Sequence, residues 1–148
     1  HKVTLNKGYI GSSAIKVFEY NGASTGLNES LIKALDMKIR YEIVRVILSD
    51  KVGLMPDAAP MHFKLLFEVP TGKILGAQAI GKGDVTKRID TVATAIKFGG
   101  TVEDLKDLEF SYAPPFTTAK DTLDFHVYVM QLKKGVINRK VLIEEISE

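Results

Sequence analysis

The chain has 148 residues and a mass of 16.3 kDa, which allows one domain with a hydrophobic core and argues against two independent domains. With 45% hydrophobic and 26% charged residues, its composition is typical of a globular domain, and no apolar run approaches the roughly 20 residues of a membrane-spanning helix. The absence of cysteine excludes disulfides and thiolate metal sites, and a net charge of +2 gives no reason to expect a nucleic acid or a membrane surface as partner.

The first third of the chain predicts two strands separated by a short helix. Apolar and polar residues alternate loosely over Ser13–Tyr20, and Asn21-Gly22 is a turn signal directly after this strand. Asn28 is a suitable N-cap for a short helix. The β-branched density over Ile39–Leu48 predicts the second strand.

The clearest period of two in the chain predicts a β-hairpin. Pro and Gly residues between Ser49 and Pro60 indicate a loop, and an apolar residue then occupies every second position over Met61–Val69. Pro70 and Gly72 fit a turn, so Ile74–Ile80 is expected to return antiparallel to the preceding strand.

Three further segments complete the prediction. Asp84 can cap a helix that ends at Gly99-Gly100, and Thr101 with Asp104 resembles a capping box that opens a short helix. The adjacent prolines of Ser111–Thr118 exclude helix and predict an extended path. Residues 118–134 alternate in part, but the capping residues before them and the Lys-Lys-Gly stop after them favour a helix, apolar around much of its circumference.

Together these elements predict an α+β fold, in which an antiparallel sheet of about four or five strands is covered on one face by helices. The apolar sheet face is expected to pack Phe63, Leu65 and Phe67 against helix residues Ile89, Val92 and Ile96.

The sequence contains no convincing metal or phosphate site. His62 and His126 are far apart, without a second ligand at metal-binding spacing, and His62 is expected on the solvent side of its strand. Gly76, Gly81 and Gly83 lack the G-x-G-x-x-G spacing, so close strand packing is the better interpretation than phosphate binding.

Two features allow a functional as well as a purely structural interpretation. Arg88 lies near the start of the long helix, either on a solvated face or paired with a carboxylate within the helix or across an interface. Tyr112 and Phe116 flank the two prolines and could form a ligand edge or an interface anchor, although composition alone favours a plain turn packed on the core.

Several motifs occur in an order that resembles one known family. They are Ser24-Thr-Gly-Leu27, Thr71-Gly-Lys-Ile-Leu-Gly-Ala-Gln78, Asp84-Val-Thr-Lys-Arg-Ile-Asp90, Thr101-Val-Glu-Asp-Leu105, and Tyr112-Ala-Pro-Pro-Phe116 with Ala119-Lys-Asp121. Over roughly Ser12 to Gly135 the chain resembles the C-terminal dimerisation domain of the pyridine nucleotide-disulfide oxidoreductases. Within that family it is most similar to the coenzyme A disulfide reductase, NADH oxidase and NADH peroxidase branch.

The resemblance implies that the chain is the third part of a larger flavoenzyme. The lack of a signal pattern and of cysteine predicts a cytoplasmic location. The N-terminal part of such an enzyme holds FAD, NAD(P)H and the redox-active cysteine, so this domain alone binds no cofactor or metal. Because the chain begins with His1 and not Met, we expect a piece of a longer protein. Residues 1–11 are then linker or vector-derived, 12–135 the dimerisation domain, and 136–148 a tail or linker.

The resemblance also implies roles for individual residues. Tyr112 matches a tyrosine placed near the reactive cysteine of the partner subunit, where it acts as a hydrogen-bond or proton donor. Pro114, Pro115 and Phe116 would lie near the partner's flavin. Residues Arg88, Tyr128 and Met130 are assigned to the homodimer interface.

The chain departs from the branch at one point that affects the substrate. Coenzyme A disulfide reductases carry a second tyrosine where this chain has Leu54 and Met55, and neither can donate a proton. The electron acceptor therefore stays open. The expected function is subunit contact and completion of the partner's active site, without catalysis by the isolated domain, and the alternative is a self-contained ligand-binding or enzymatic α+β domain.

Overall fold

The computed structural model describes residues 8–119, and within them five strands form one antiparallel sheet in the order β1-β2-β5-β4-β3. The predicted α+β class and strand number are confirmed. Within this part of the chain no helix has the length and apolar character that crossing a membrane requires. The elements are β1 (Ser13–Val17), β2 (Tyr20–Gly26), α1 (Glu29–Ala34), β3 (Tyr41–Ser49), β4 (Pro60–Glu68), β5 (Ile74–Gly81), α2 (Thr86–Lys97) and α3 (Val102–Lys106).

The predicted hairpin is confirmed as the centre of the sheet. In β4 and β5, Phe63 pairs with Ala79 and Leu65 with Ala77. The backbone N–H of Gly72 donates to the carbonyl oxygen of Glu68 at 2.9 Å and closes the connection between the two strands. Strands β2 and β3 flank the hairpin, so both of its strands are paired along two edges.

The hydrophobic core lies between one sheet face and helices α2 and α3. Because side chains alternate along a strand, Phe63, Leu65 and Phe67 share this face, and all three are buried. Ile89 and Val92 of α2 belong to the same cluster, as predicted, and Ile96 packs against its edge while half-buried. Helix α3 completes the core with Val102 and Leu105.

The position of the first turn differs from the prediction. The sequence predicts one strand over Ser13–Tyr20 that ends at Asn21-Gly22, but both of these residues lie within β2, a strand that the sequence does not predict, and the turn is formed by Phe18 and Glu19. Phe18 has a φ of 51°, a conformation that usually selects Gly, so its residue type carries no turn signal. The Asn21 amide instead donates to the carbonyl oxygens of Lys82 and Gly83, at 3.0 and 2.9 Å.

The predicted starts of α1 and α3 are confirmed by their hydrogen bonds, whereas α2 starts one residue later than predicted, with Val85 and not Asp84 at the N-cap position. Asn28 Oδ1 accepts from the N–H of Leu31 at 2.8 Å, and Thr101 and Asp104 form a reciprocal capping box. Asp84 Oδ1 accepts from the backbone N–H groups of Thr86 and Lys87 at the start of α2. These bonds satisfy N–H groups that lack partners inside the helix.

Candidate functional site

A groove of about 620 Å³ lies where three segments meet: the loop after β3, the start of α2, and the loop that contains Tyr112. No two of these segments are adjacent in sequence, so only the folded chain brings them together. The residues that give the groove its chemical character are Asp50, Lys51, Lys87, Tyr112, Pro115 and Phe116.

The Tyr112 loop presents aromatic side chains to the outside of the domain. Tyr112 is 54% exposed and Phe116 70% exposed, so the loop is not a plain turn packed on the core. The predicted extended path is also wrong in part, since residues 114–116 form a turn. The N–H groups of Phe116 and Thr117 donate to the carbonyl oxygen of Ala113 at 2.9 and 3.2 Å.

Arg88 lies beneath the groove and is only 2% exposed. Its Nη1 donates to the carbonyl oxygen of Asp84 at 2.8 Å, and its Nη2 donates to the carbonyl oxygen of Asp50 at 2.8 Å and to Thr117 Oγ1 at 3.3 Å. The solvated-face interpretation is therefore wrong, because the guanidinium is enclosed by the domain itself. The place of Arg88 at a subunit interface stays a prediction.

Asp50 and Lys51 form the opposite wall of the groove. Asp50 is buried, and its Oδ1 accepts from the N–H of Ala59 at 2.8 Å, which joins the two ends of the β3–β4 loop. A Cβ atom at Gly83 would collide with the Asp50 carboxylate, so a larger residue there would force this buried side chain to shift. Lys51 Nζ lies 2.6 Å from Asp57 Oδ2, and this hydrogen bond raises the pKa of Lys51 and lowers that of Asp57.

The Asp84 carboxylate adds a fixed negative charge at the start of α2. Partial burial raises its pKa, but the hydroxyl of Thr86, the backbone N–H groups of Lys87 and Thr86 and the positive charge of Arg88 together outweigh burial. The pKa of Asp84 therefore lies below its ordinary value, and the side chain is ionised at neutral pH.

The other predicted site residues are distributed as follows. Pro114 is exposed on the Tyr112 loop but does not line the groove, whereas Pro115 and Phe116 do. Leu54, on the β3–β4 loop, is 89% exposed. Tyr128 and Met130 lie outside the described residues, as does the predicted helix over 118–134 apart from residues 118 and 119, which are not helical.

The histidine and glycine residues for which the sequence favours a structural role are placed as follows. His62 is exposed, as predicted. A Cβ atom at Gly76 would collide with the carbonyl oxygen of Leu27, so this glycine permits close strand packing, as the sequence interpretation favoured. Within residues 8–119 there is no group of three or more His, Cys, Asp or Glu side chains that could hold a metal ion.

Sequence reasoning missed two residues that build the site, Asp50 and Thr117. Both are polar and almost fully buried, which is unusual for their residue types. Their only sequence signal is position, since Asp50 begins the loop after β3 and Thr117 follows the two prolines. A partner for Arg88 on these loops could not be identified before the fold was known.

Comparison with known proteins identifies a family and several relatives. Residues 12–123 match the family described as the pyridine nucleotide-disulphide oxidoreductase dimerisation domain, within the predicted limits 12–135. A coenzyme A disulfide reductase from Staphylococcus epidermidis is 35% identical over 125 residues, which are 84% of this chain and 28% of the reductase. The chain thus spans little more than a quarter of the length of that relative.

Solved structures agree with this assignment. The reduced CoADR-RHD protein of Bacillus anthracis is 41% identical with a TM-score of 0.84, and the match covers 98% of this chain and 27% of that protein. An NAD-dependent persulfide reductase from A. fulgidus is 34% identical with a TM-score of 0.83, and the match covers 90% of this chain and 24% of that protein. A water-forming NADH oxidase from Lactobacillus brevis is 26% identical with a TM-score of 0.78, and the match covers 85% of this chain and 28% of that protein.

Proposed function

Since the chain belongs to the dimerisation domains of the pyridine nucleotide-disulphide oxidoreductases, we propose that it joins two subunits of a flavoenzyme and completes the partner's active site with Tyr112. The active enzyme is a cytoplasmic homodimer that uses FAD and NAD(P)H, both bound outside this chain. The observation that carries the proposal is the half-exposed Tyr112 at the rim of the groove, on a loop held by buried hydrogen bonds.

The loop has the properties of a contact surface. Tyr112, Pro115 and Phe116 place one phenol and two apolar side chains at the groove, and aromatic residues of this kind anchor protein interfaces. An isolated domain gains nothing from exposing Phe116, whereas a partner subunit would cover it. The phenol can donate a hydrogen bond or a proton, as active-site completion requires.

The chain's own residues fit a neighbouring flavin and do not fit a complete flavin-binding domain. The glycines of β5 serve strand packing, and the groove has no phosphate-binding glycine loop among the described residues. Pro114, Pro115 and Phe116 would border the partner's flavin and exclude water from it. FAD, when bound in the enzyme, passes electrons from NAD(P)H to the acceptor.

Tyr112 would act at the acceptor by supplying a proton or hydrogen bond to a sulfur atom that leaves as a thiolate. Protonation of a leaving group by a positioned side chain typically accelerates a reaction by about 10²–10⁴-fold. We favour a disulfide or persulfide as acceptor because the coenzyme A disulfide and persulfide reductases are 34–35% identical to this chain, against 26% for the oxidase. Since Leu54 and Met55 supply no second phenol, Tyr112 is the tyrosine that the described residues place at the groove.

The proposal is tested in the full-length flavoenzyme that contains this chain. NADH consumption is measured with coenzyme A disulfide, with a persulfide and with O₂, for the wild type and for Tyr112→Phe. We expect the variant to lose about 100-fold in kcat with a sulfur acceptor, at unchanged FAD absorbance. Tyr20→Phe, another partly exposed tyrosine on β2, is the matched control and keeps full turnover. Wild-type turnover by Tyr112→Phe would contradict the proposal.

The homodimer is tested by light scattering over a concentration series. We expect a dimer that Tyr128→Asp or Met130→Asp dissociates, because a buried carboxylate without a partner opposes association. Lys97→Glu, an exposed change at the end of α2, leaves the mass unchanged. A full-length enzyme that remains monomeric would contradict the proposal, and NADH turnover by the isolated chain would favour a self-contained enzyme.

A further inference from the structure

We propose that Arg88 is a positioning residue for Tyr112, which it places by tying the Tyr112 loop to the opposite wall of the groove. The inference rests on the proposed function, since it assumes that Tyr112 acts on the acceptor. Arg88 contributes to the floor of the groove but is only 2% exposed, and both of its Nη atoms already donate to acceptors of this domain, so we assign it a positioning role and not a catalytic one.

The guanidinium connects all three segments that form the groove. One bond reaches Asp84 at the start of α2, a second reaches Asp50 at the start of the β3–β4 loop, and a third reaches Thr117 at the end of the Tyr112 loop. The acceptors lie 4, 38 and 29 residues away in sequence. Apart from the contact with Asp84, these are long-range links from α2 to the β3–β4 loop and to the Tyr112 loop.

A short chain of contacts leads from Arg88 to Tyr112. Thr117 is almost fully buried, and its hydroxyl meets Arg88 Nη2. The backbone N–H of Thr117 donates to Ala113, which also accepts from Phe116 and so closes the turn. Tyr112 immediately precedes Ala113. A shift of Thr117 would therefore move the turn and displace the phenol.

The same side chain sets the distance between the two walls. Arg88 Nη2 contacts both the Asp50 carbonyl oxygen and the Thr117 hydroxyl, so one nitrogen atom links the β3–β4 loop to the Tyr112 loop. Only a planar guanidinium presents several donors in a fixed fork, whereas a lysine ammonium is a single flexible point. We therefore expect lysine to preserve the charge but not the geometry.

The experiment is a double-mutant cycle in the full-length flavoenzyme, assayed with NADH and whichever of coenzyme A disulfide, persulfide or O₂ it turns over. Arg88→Lys is made alone and together with Tyr112→Phe. We expect Arg88→Lys to lower kcat about 10-fold, since a misplacement of about 1 Å can cost up to about 10²-fold. In the Tyr112→Phe background the same change should cost less than about 2-fold, because the phenol that Arg88 places is already absent.

A second measurement does not depend on turnover. Hydrogen–deuterium exchange, followed by mass spectrometry, is compared between Arg88→Lys and wild type for peptides covering 111–119 and peptides covering β4 and β5. Faster exchange confined to 111–119 is expected, because the N–H groups of Phe116 and Thr117 lose a fixed acceptor geometry. Equal acceleration throughout the sheet would identify Arg88 as a general stabilising residue and overturn the inference.

The two proposals can fail separately. If Tyr112→Phe retains wild-type turnover, the proposed function fails. If Tyr112→Phe is impaired but Arg88→Lys still costs 10-fold in that background, the proposed function stands and the positioning inference is wrong.

Should Arg88→Lys not fold, the pair Thr117→Val and Thr117→Ser tests the same link with smaller changes. Thr117→Val removes the hydroxyl that Arg88 contacts and is expected to lower kcat several-fold, while Thr117→Ser retains it and restores most of the rate. Equal rates for the two variants would overturn the inference. Lys97→Met, which removes an exposed cation at the other end of α2, serves as the control.

Discussion

The β4–β5 hairpin and the groove beside Tyr112 lie in the same small domain but depend on different forces. The hairpin places Phe63, Leu65 and Phe67 in a continuous apolar cluster from which water is excluded. The groove has exposed aromatic residues on its surface, and its segments are joined by hydrogen bonds from a single buried guanidinium. Apolar burial acts without direction, whereas hydrogen bonds define positions.

This difference predicts which property each region controls. Substitutions in the hairpin should lower the free energy of unfolding, because they remove buried apolar area or introduce a collision. Substitutions in the groove should change stability little and turnover strongly, because the groove residues determine where a phenol lies.

The largest effect is expected for Phe67→Ala at the centre of the core. Removal of this buried ring should lower the free energy of unfolding by roughly 3–5 kcal/mol, from lost burial and the cavity that remains. Urea unfolding of the chain followed by circular dichroism measures the change. A loss below about 1 kcal/mol would mean that the assigned core face of β4 is wrong.

A smaller decrease in the free energy of unfolding is expected for Gly76→Ala. The added methyl group would meet the Leu27 carbonyl oxygen, and the backbone between β2 and β5 must shift to admit it. Forced insertion into packed structure costs about 1–3 kcal/mol, measurable in the same unfolding experiment. Gly53→Ala is the matched control, because its Cβ would meet no atom within 4 Å.

Asp84 lies between β5 and α2 and also lines the groove. Its substitution should have the next largest effect on the free energy of unfolding. Asp84→Ala removes acceptors from the first turn of α2 and should cost about 1 kcal/mol at pH 7. Because the folded-state pKa of Asp84 is lowered, its contribution is present above the unfolded-state value and is lost as pH falls through the folded-state pKa. Asp84→Asn keeps a capping oxygen, so it should retain most stability while losing this acid dependence. If the free energy of unfolding of Asp84→Asn depends on pH as that of the wild type does, the acid dependence does not come from Asp84.

The smallest effect on stability is expected for Tyr112→Phe. The side chain is half-exposed, and substitutions at exposed sites usually change the free energy of unfolding by less than about 0.5 kcal/mol. A small change in stability together with the expected 100-fold loss of turnover would show that the groove controls activity and the hairpin controls stability. If thermal unfolding instead shows a loss comparable to that of Phe67→Ala, Tyr112 has a structural role.

The locally encoded parts of the fold were predictable from the sequence. The alternation in β4, the capping residues Asn28 and Thr101, and the apolar face of α2 each depend on residues a few positions apart, and all were confirmed. The first turn was misplaced for the same reason. Asn21-Gly22 satisfies local turn rules, but the Asn21 amide bonds instead to the segment after β5, which is 61 residues away in sequence.

The candidate site was predictable only in part. The resemblance to a known family located Tyr112, Pro115 and Phe116, and the chain does belong to that family. The solvated-face alternative for Arg88 is wrong, and its backbone acceptors could not be predicted, whereas a carboxylate partner across an interface stays a prediction. Acceptors on the main chain carry no residue-type signal, so a buried arginine that binds them cannot be distinguished in sequence from one on the surface.

Residue spacing and the order of motifs are enough to predict four of the five strands in the described residues, the apolar face of the sheet and the family. The meeting of Asp50, Arg88 and Thr117 beneath one groove, in contrast, is visible only in the folded chain. The physical reason is that long-range hydrogen bonds depend on how strands and loops are arranged in space. That arrangement follows from packing of the whole core and is not encoded by any single segment.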